Sequence, residues 1–414
     1  MSVLKAFKAL RPTAELASKV AALPYDVMNS DEARRMAFGN PYSFLHVDKA
    51  EIDLPKSVDI YDDRVYEQAK INLSKLVSAD VLKQDEAPCL YVYEQTRNGR
   101  TQTGIVGCTS IDDYINNVIK KHENTRADKE ADRIRHVDAL DANTGPIFLT
   151  YKHSDTVSDI VASVKNLSEP VYDFVSDNVL QRVWVISDNS VIEKLVAAFK
   201  DINPLYIADG HHRAASAVKV GLKRRQENPE YTGQEEFNFF LSVLFPSDEL
   251  AILDYNRVVT DLNGKTKEKF IAEISKKFEC REVGKEAFKP ENKHNFSMYI
   301  DGSWYKLYAK SGTFNEEAPV DQLDVSILQH NLIEPVLGIK DPRTDKRIDF
   351  VGGIRGLKEL QKRVDSGEMA VAFSMYPTTL SDLMSIADAN LIMPPKSTWF
   401  EPKLLSGLFI HYLK

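Results

Sequence analysis

The chain has 414 residues, long enough for a large core and for two domains or one domain with an elaborate insertion. With 43% hydrophobic and 28% charged residues its composition is that of an ordinary folded protein, and 53 basic against 61 acidic residues give a formal net charge of −8, a balance that opposes binding to a nucleic-acid backbone. No apolar run approaches the roughly 20 residues of a membrane span, so neither nucleic acid nor membrane is expected as a partner.

The segment Met1 to Ala22 scatters Lys5, Lys8, Arg11, Glu15 and Lys19 among its apolar residues, unlike the uninterrupted core of a signal peptide, and a cytoplasmic location is expected. Leu23-Pro24-Tyr25-Asp26-Val27 follows, where proline imposes an extended backbone and sets Tyr25 and Asp26 at a strand end or tight loop. A helix is expected over Ser30 to Phe38, capped by Ser30 or Asp31. Asn40-Pro41 then turns into a short strand through Phe44 to Val47, within which His46 reads either as a satisfied core histidine or as a functional one. Val65, Ala69, Leu73, Leu76 and Val77 recur at helical spacing over Asp62 to Ser78. Next the period changes to two: Cys89 to Tyr93 and Gly104 to Cys108 flank Asn98-Gly99, a strong hairpin signal. The cysteines Cys89, Cys108 and Cys280 form no CxxC pair and read as buried thiols.

His122-Glu123 precedes a charged stretch that, as a helix from Arg126, places Lys129, Asp132, Arg133 and His136 on one face. Most such faces are solvated and laced with salt bridges, but a His-Glu pair at a loop-to-helix junction offers a base, a metal ligand and an orienting partner together. Strands and helices then alternate: strand Pro146 to Tyr151, helix Ser154 to Leu167, strands Val171 to Val175 and Arg182 to Ile186, helix Asn189 to Lys200. Pro204 to Ala208 reads as a buried strand that stops at Asp209-Gly210 and turns straight into an alanine-rich helix running to Gln226. That turn aims the first N–H groups of a helix outward beside His211, His212 and Arg213, which is anion-site geometry. The plainer alternative makes Asp209 an N-cap and Gly210 a turn residue.

Apolar strands are expected at Phe237 to Phe245 and Leu250 to Asp254, a surface helix and connector at Lys265 to Pro290, and a hairpin about Asp301-Gly302. Helix Val325 to Leu337, strand Arg347 to Val351, helix Arg355 to Asp365, strand Ala370 to Met375 and helix Leu380 to Ala389 follow. Gly352-Gly353-Ile354-Arg355-Gly356 lacks the GxGxxG spacing, and no Walker A string occurs. In Met393-Pro394-Pro395-Lys396-Ser397-Thr398 two prolines stiffen a loop whose cation and hydroxyls suit phosphate oxygens, with Lys403 close behind; a rigid surface loop is the alternative.

Five of these strings together resemble a known family: Leu23 to Val27, Asn40 to Val47, Lys121 to Arg133, Ala208 to Arg213 and Met393 to Thr398 resemble the family catalogued as domain of unknown function 1015, over nearly the whole length. Asp-Gly-His-His-Arg at 209–213 is the most specific mark, and Leu23 departs from the pattern, where a second proline is usual. The Gly-His-His-Arg piece is also similar to the phosphate-holding turn of the ParB/sulfiredoxin superfamily, which includes kinases of free serine. The resemblance implies a mixed α/β fold with a ParB/sulfiredoxin-like nucleotide- or phosphate-binding core over 1–255 and a second α/β region over 256–414 that completes the site.

It further implies a small-molecule phosphotransferase making O-phosphoserine from L-serine with ATP, ADP or pyrophosphate as donor. In that scheme Gly210, His211, His212 and Arg213 hold donor phosphates, and Lys396, Ser397, Thr398 and Lys403 close on them. Asp209 or Glu123 takes Mg²⁺, Asp26 is a possible base, and His122 assists. Lys129, Asp132 and Arg133, with His46, bind the amino acid or support those that do. A ParB-like nucleotide switch and a phosphoanhydride hydrolase are the alternatives, and a homo-oligomer stays open.

Overall fold

The computed structural model describes residues 1–414, which divide into two compact units. Unit 1 comprises Met1–Lys121, Thr125–Leu250 and Pro402–Lys414; unit 2 comprises His122–Asn124 and Ala251–Glu401. The resemblance implies a boundary at 255/256; the observed division falls at 250/251 and places the last 13 residues in the first unit. No helix is long and apolar enough to cross a membrane.

Unit 1 is built on an eight-stranded mixed sheet. From one edge its strands are Ile119–Lys120, Leu205–Asp209, Ile147–Tyr151, Phe239–Pro246, Arg100–Ser110, Leu90–Arg97, Val179–Ile186 and Tyr172–Ser176. Leu205–Asp209 runs parallel to Ile119–Lys120, and Phe239–Pro246 parallel to Ile147–Tyr151; the other neighbours are antiparallel. The expected hairpin forms about Asn98 and Gly99, both left-handed with φ of 50° and 78°, as a two-residue turn requires. The central strands are buried on both faces, which explains their nearly unbroken apolar runs. One face packs on helices Asp155–Leu167, Asn189–Asp201 and His211–Glu227, through Leu149, Tyr151, Leu195, Phe199, Ala214 and Val218 among others. A second core gathers Val20, Ala33, Phe44, Leu45, Val47, Leu73, Leu76 and Ile410, where the C-terminal strand His411–Tyr412 pairs with Ala142–Asn143.

Two elements of unit 1 take a form other than the expected one. Residues 44–47 are no strand: Leu45–Asp48 is a helical turn with Phe44 at its N-cap, and the turn lets Phe44, Leu45 and Val47 all enter one core. Helix Ser30–Ala37 is capped by Asn29, not by Ser30 or Asp31, because Glu32 stands three residues on and closes a reciprocal capping box.

Unit 2 is a six-stranded antiparallel sheet in the order Phe278–Gly284, Ser303–Ala309, Asn295–Ile300, Val371–Met375, Tyr255–Val259 and Ile348–Gly352. Its main core joins Phe270, Phe278, Phe296, Met298, Leu328, Leu332 and Phe373. Phe278–Gly284 was expected as a connector; it is an edge strand whose Glu279, Arg281 and Glu282 face outward, charges that mask the period of two and protect an edge. The helix expected over 325–337 is shorter: Asp324–Leu328 is α-helical and Gln329–Ile333 widens to a π-turn.

Candidate functional site

In unit 1 the strand Leu205–Asp209 delivers Asp209 at its end, and helix His211–Glu227 begins after a single residue. That residue, Gly210, has φ of +90°, a conformation L side chains avoid. It must also be bare for a second reason: a Cβ there would lie 3.0 Å from Arg213 Nε and 3.1 Å from its Cζ. The guanidinium therefore folds back over the turn. Gly210 is itself the helix N-cap and provides no side-chain cap, so Asp209 is not the cap.

The Arg213 side chain is only 10% exposed. Its Nη1 donates to the Pro146 carbonyl at 2.5 Å and its Nη2 to Asp209 Oδ2 at 3.0 Å, while Nε is buried with no hydrogen-bond partner. Burial alone lowers its pKa, but the fields of Asp26, Asp209, Tyr25 and Asp48 outweigh that and raise it, so the cation is permanent. Asp209 Oδ1 meets Lys403 Nζ at 3.4 Å. Burial pushes the Asp209 carboxyl up, yet Lys403 and Arg213 together hold it down at about 2.

The helix Ala127–Leu140 forms as its charge pattern predicts, and the face carrying Asp132, Arg133 and His136 is buried. Arg133 Nε donates to Asp132 Oδ2 at 2.9 Å and the guanidinium stacks 4.1 Å over the Tyr25 ring. Tyr66 donates its hydroxyl to Asp132 Oδ1 at 2.9 Å. His136 Nε2 donates to the Val47 carbonyl at 3.1 Å, and burial with the nearby Arg133 depresses its pKa to about 4, leaving it neutral. Asp48 accepts from Thr144 at 2.8 Å. Tyr25, Asp48, Arg133, His136, Thr144 and Arg213 line a cavity of about 30 Å³, room for a water molecule.

Of the sequence-predicted residues, unit 1 thus brings together Asp26, Asp132, Arg133, Asp209, Gly210, Arg213 and Lys403. His211 is buried and helps to lower the pKa of Asp209. His212 Nε2 accepts the Arg126 N–H at 3.0 Å, which places the proton on Nδ1 and ties the start of helix Ala127–Leu140 to this turn. Lys129 reaches the Tyr61 hydroxyl at 3.0 Å. His46 has both ring nitrogens engaged, Nδ1 with Asp53 at 2.8 Å and Nε2 with the Asn40 carbonyl at 3.1 Å, and Asp53 raises its pKa. Tyr25, Asp48, Tyr66 and Thr144 were not assigned roles from sequence. Asp48 directly follows the Asn40 to Val47 string and Thr144 precedes Gly145-Pro146, and these positions are the signals that point to both.

The other predicted residues lie in unit 2. His122 is buried and its carbonyl accepts the Met393 N–H at 2.8 Å; Glu123 is half-buried. Lys396 is exposed and left-handed at φ +59°, with Nζ 5.5 Å from the Tyr255 ring centroid. Ser397 is buried, donates to the Pro394 carbonyl at 2.6 Å and accepts from Thr378 at 2.9 Å; Thr398 is half-buried. These bonds stiffen the loop as its prolines predict.

A Mg²⁺ ion at Asp209 does not fit this arrangement, since both carboxylate oxygens already face cations. The residues form a charged pocket in which two cations, Arg213 and Lys403, share one acid.

No curated protein matches the chain. Eight chains of solved structure do. A free serine kinase in complex with AMP shares 14% identity over 74% of this chain and 91% of its own, with a TM-score of 0.36. A conserved hypothetical protein from Pyrococcus furiosus shares 15% over 74% and 95%, TM-score 0.35, and a C-terminally truncated SbnI from Staphylococcus aureus 12% over 73% and 85%, TM-score 0.38. The family model described as Protein of unknown function (DUF1015) matches residues 4–326, and the chain belongs to that family.

Proposed function

We propose that the protein is a small-molecule phosphotransferase whose donor phosphates bind at the Asp209–Arg213 turn, in a ParB/sulfiredoxin-like core, and whose acceptor is free L-serine. The observation that carries this reading is the Arg213 guanidinium, buried with an unpartnered Nε beneath a turn with no side-chain cap. A fixed cation, a second cation on Lys403 and the start of a 17-residue helix are what a phosphoryl group needs for positioning and charge neutralisation. Serine as acceptor follows from the resemblance of the Gly-His-His-Arg turn to that of the free-serine kinases.

Serine Oγ attacks the terminal phosphorus; the Oγ–P bond forms, the bridging P–O bond breaks, and the leaving phosphate takes the electron pair. The hydroxyl proton goes to a carboxylate. Asp26, exposed and acting electrostatically on Arg213, takes that role, because Asp209 is committed to its two cations. Arg133, fixed on Tyr25 and paired with Asp132, supports the acceptor side.

Phosphorus NMR of the full chain with serine and, in parallel, ATP, ADP or pyrophosphate, with and without Mg²⁺, tests this. O-phosphoserine is expected with one donor and is lost in Arg213→Ala and reduced in Arg213→Lys. Orthophosphate without serine dependence makes the protein a hydrolase instead, and nucleotide binding with no transfer makes it a switch; either outcome overturns the kinase reading.

A further inference from the structure

Unit 2 holds a buried cation that no acidic side chain answers. Arg257 lies on the strand Tyr255–Val259, opposite Phe350 and Phe373, and is 6% exposed. It donates Nη1 to the Tyr255 carbonyl and Nη2 to the Pro395 carbonyl at 3.3 Å, and stacks 5.0 Å from the Phe350 ring centroid. None of these partners carries a charge. Other arginines of the unit behave differently: Arg347 pairs with Asp345 and Asp261, Arg363 with Asp349 and Glu368. Burial pulls the Arg257 pKa down to about 10, so it remains charged at neutral pH.

A buried charge without a counter-charge is costly, and five guanidinium N–H donors far exceed two carbonyl bonds. The surroundings hold a second cation. Pro395, whose carbonyl Arg257 holds, is followed by Lys396, and Lys396 rides on the ring of Tyr255. That ring is braced edge-on by Trp399 at 5.1 Å and by Phe350 at 6.0 Å. Trp399 in turn lies over Gly352, where a Cβ would come within 2.9 Å of the indole. One cation is thus fixed and buried and a second stands on the same aromatic platform, on a proline-stiffened loop.

We infer that Arg257, with Lys396 beside it, is an oxyanion site of unit 2 that takes the phosphate or carboxylate group of a small molecule. The fork of a guanidinium matches two oxygens of either group. The inference rests on unit 2 alone and stands whether or not the Arg213 turn transfers phosphate.

The test titrates the full chain with pyrophosphate, and separately with acetate, at constant ionic strength, reading tryptophan fluorescence. Trp399→Phe assigns the signal, and Arg213→Ala removes any contribution from unit 1. A saturable change is expected in the wild type and in Arg213→Ala, with affinity falling about tenfold or more in Arg257→Gln and less in Arg257→Lys. A response to pyrophosphate marks a phosphate site; a response to acetate alone marks a carboxylate site. Absence of saturation with both anions, or wild-type affinity in a folded Arg257→Gln, overturns the inference. Should circular dichroism show Arg257→Gln unfolded, the exposed Lys396→Gln decides: reduced affinity supports the site and unchanged affinity overturns it. Failure of serine phosphorylation with the Arg257 response intact defeats only the kinase reading.

Discussion

Asp324→Asn should stabilise the protein above pH 7 and leave it almost unchanged near pH 4. Asp324 opens the helix Asp324–Leu328 and is 8% exposed; its Oδ1 accepts the His294 N–H at 2.8 Å, while Oδ2 is buried with no partner. Burial is the main reason its pKa rises from 3.8 to about 7, with Asp382 adding to the rise and the His294 and Tyr376 N–H groups and Lys293 opposing it. Between those two pH values the folded state holds a proton that the unfolded chain has lost, so stability falls as pH rises through the window. About three units at about 1.4 kcal/mol each give a loss on the order of 4 kcal/mol, complete by pH 8. Asparagine keeps the acceptor for His294 and carries no charge, so the variant escapes that loss. Urea denaturation of both proteins from pH 4 to 8.5 reads it out: the variant's advantage should grow across the window and then level off. An advantage independent of pH, or a deficit at pH 8, refutes the argument that Asp324 is a buried acid.

Gly210→Ala forces a φ of +90° on an L residue, at about 1–2 kcal/mol, and presses a methyl on the guanidinium 3.0 Å away; denaturation should show the loss and pyrophosphate titration a weakened turn, whereas wild-type values in both would mean Arg213 is not held by this contact. Asp209→Asn removes the acid that neutralises Lys403 and Arg213, so pyrophosphate should bind several-fold tighter while transfer slows; loss of Mg²⁺-dependent binding in that variant would make Asp209 a metal ligand after all. His136, with a folded pKa near 4 against 6.5 when unperturbed, contributes stability that is present above pH 6.5 and lost as pH falls toward 4. Its ring carbon shifts in NMR should therefore stay flat down to about pH 5, and a midpoint near 6.5 contradicts the burial argument.

What the linear sequence reveals is what is encoded within a few residues. Asn98-Gly99 declares its hairpin because both residues must be left-handed there. The strand–turn–helix at Asp209–Arg213 is equally local, since the acid and the arginine it binds are four residues apart. Strand Phe278–Gly284 stays hidden because its outward side chains are charged, leaving little but Phe278 and Cys280 to mark the buried face. The place of residues 402–414 in unit 1 is hidden for another reason: His411–Tyr412 pairs with Ala142–Asn143, and no local pattern encodes a partner that far along the chain. Lys403 shows the same limit, being nameable as a cation near a proline while its link to Asp209 spans 194 residues.

Arg257 is the extreme case, because it reads as an unremarkable strand residue between Asn256 and Val258 and only its burial gives it meaning. Its contrast with Arg213 has a chemical consequence. Arg213 lives in the fields of Asp26, Asp48 and Asp209, so an anion arriving there competes with resident carboxylates and gains only part of the cation's charge. A group that must be bound, transferred and released is well served by such a site, where uniform tight binding would only deepen the ground state. Arg257 has carbonyls and rings about it and no carboxylate to displace. An anion there keeps the full interaction in a poorly solvated setting, so it should be held longer and resist added salt better than one at the Arg213 turn. Parallel salt titrations of pyrophosphate binding in Arg213→Ala and in Arg257→Gln separate the two, and a steeper salt dependence for the site left in Arg213→Ala would contradict this ordering.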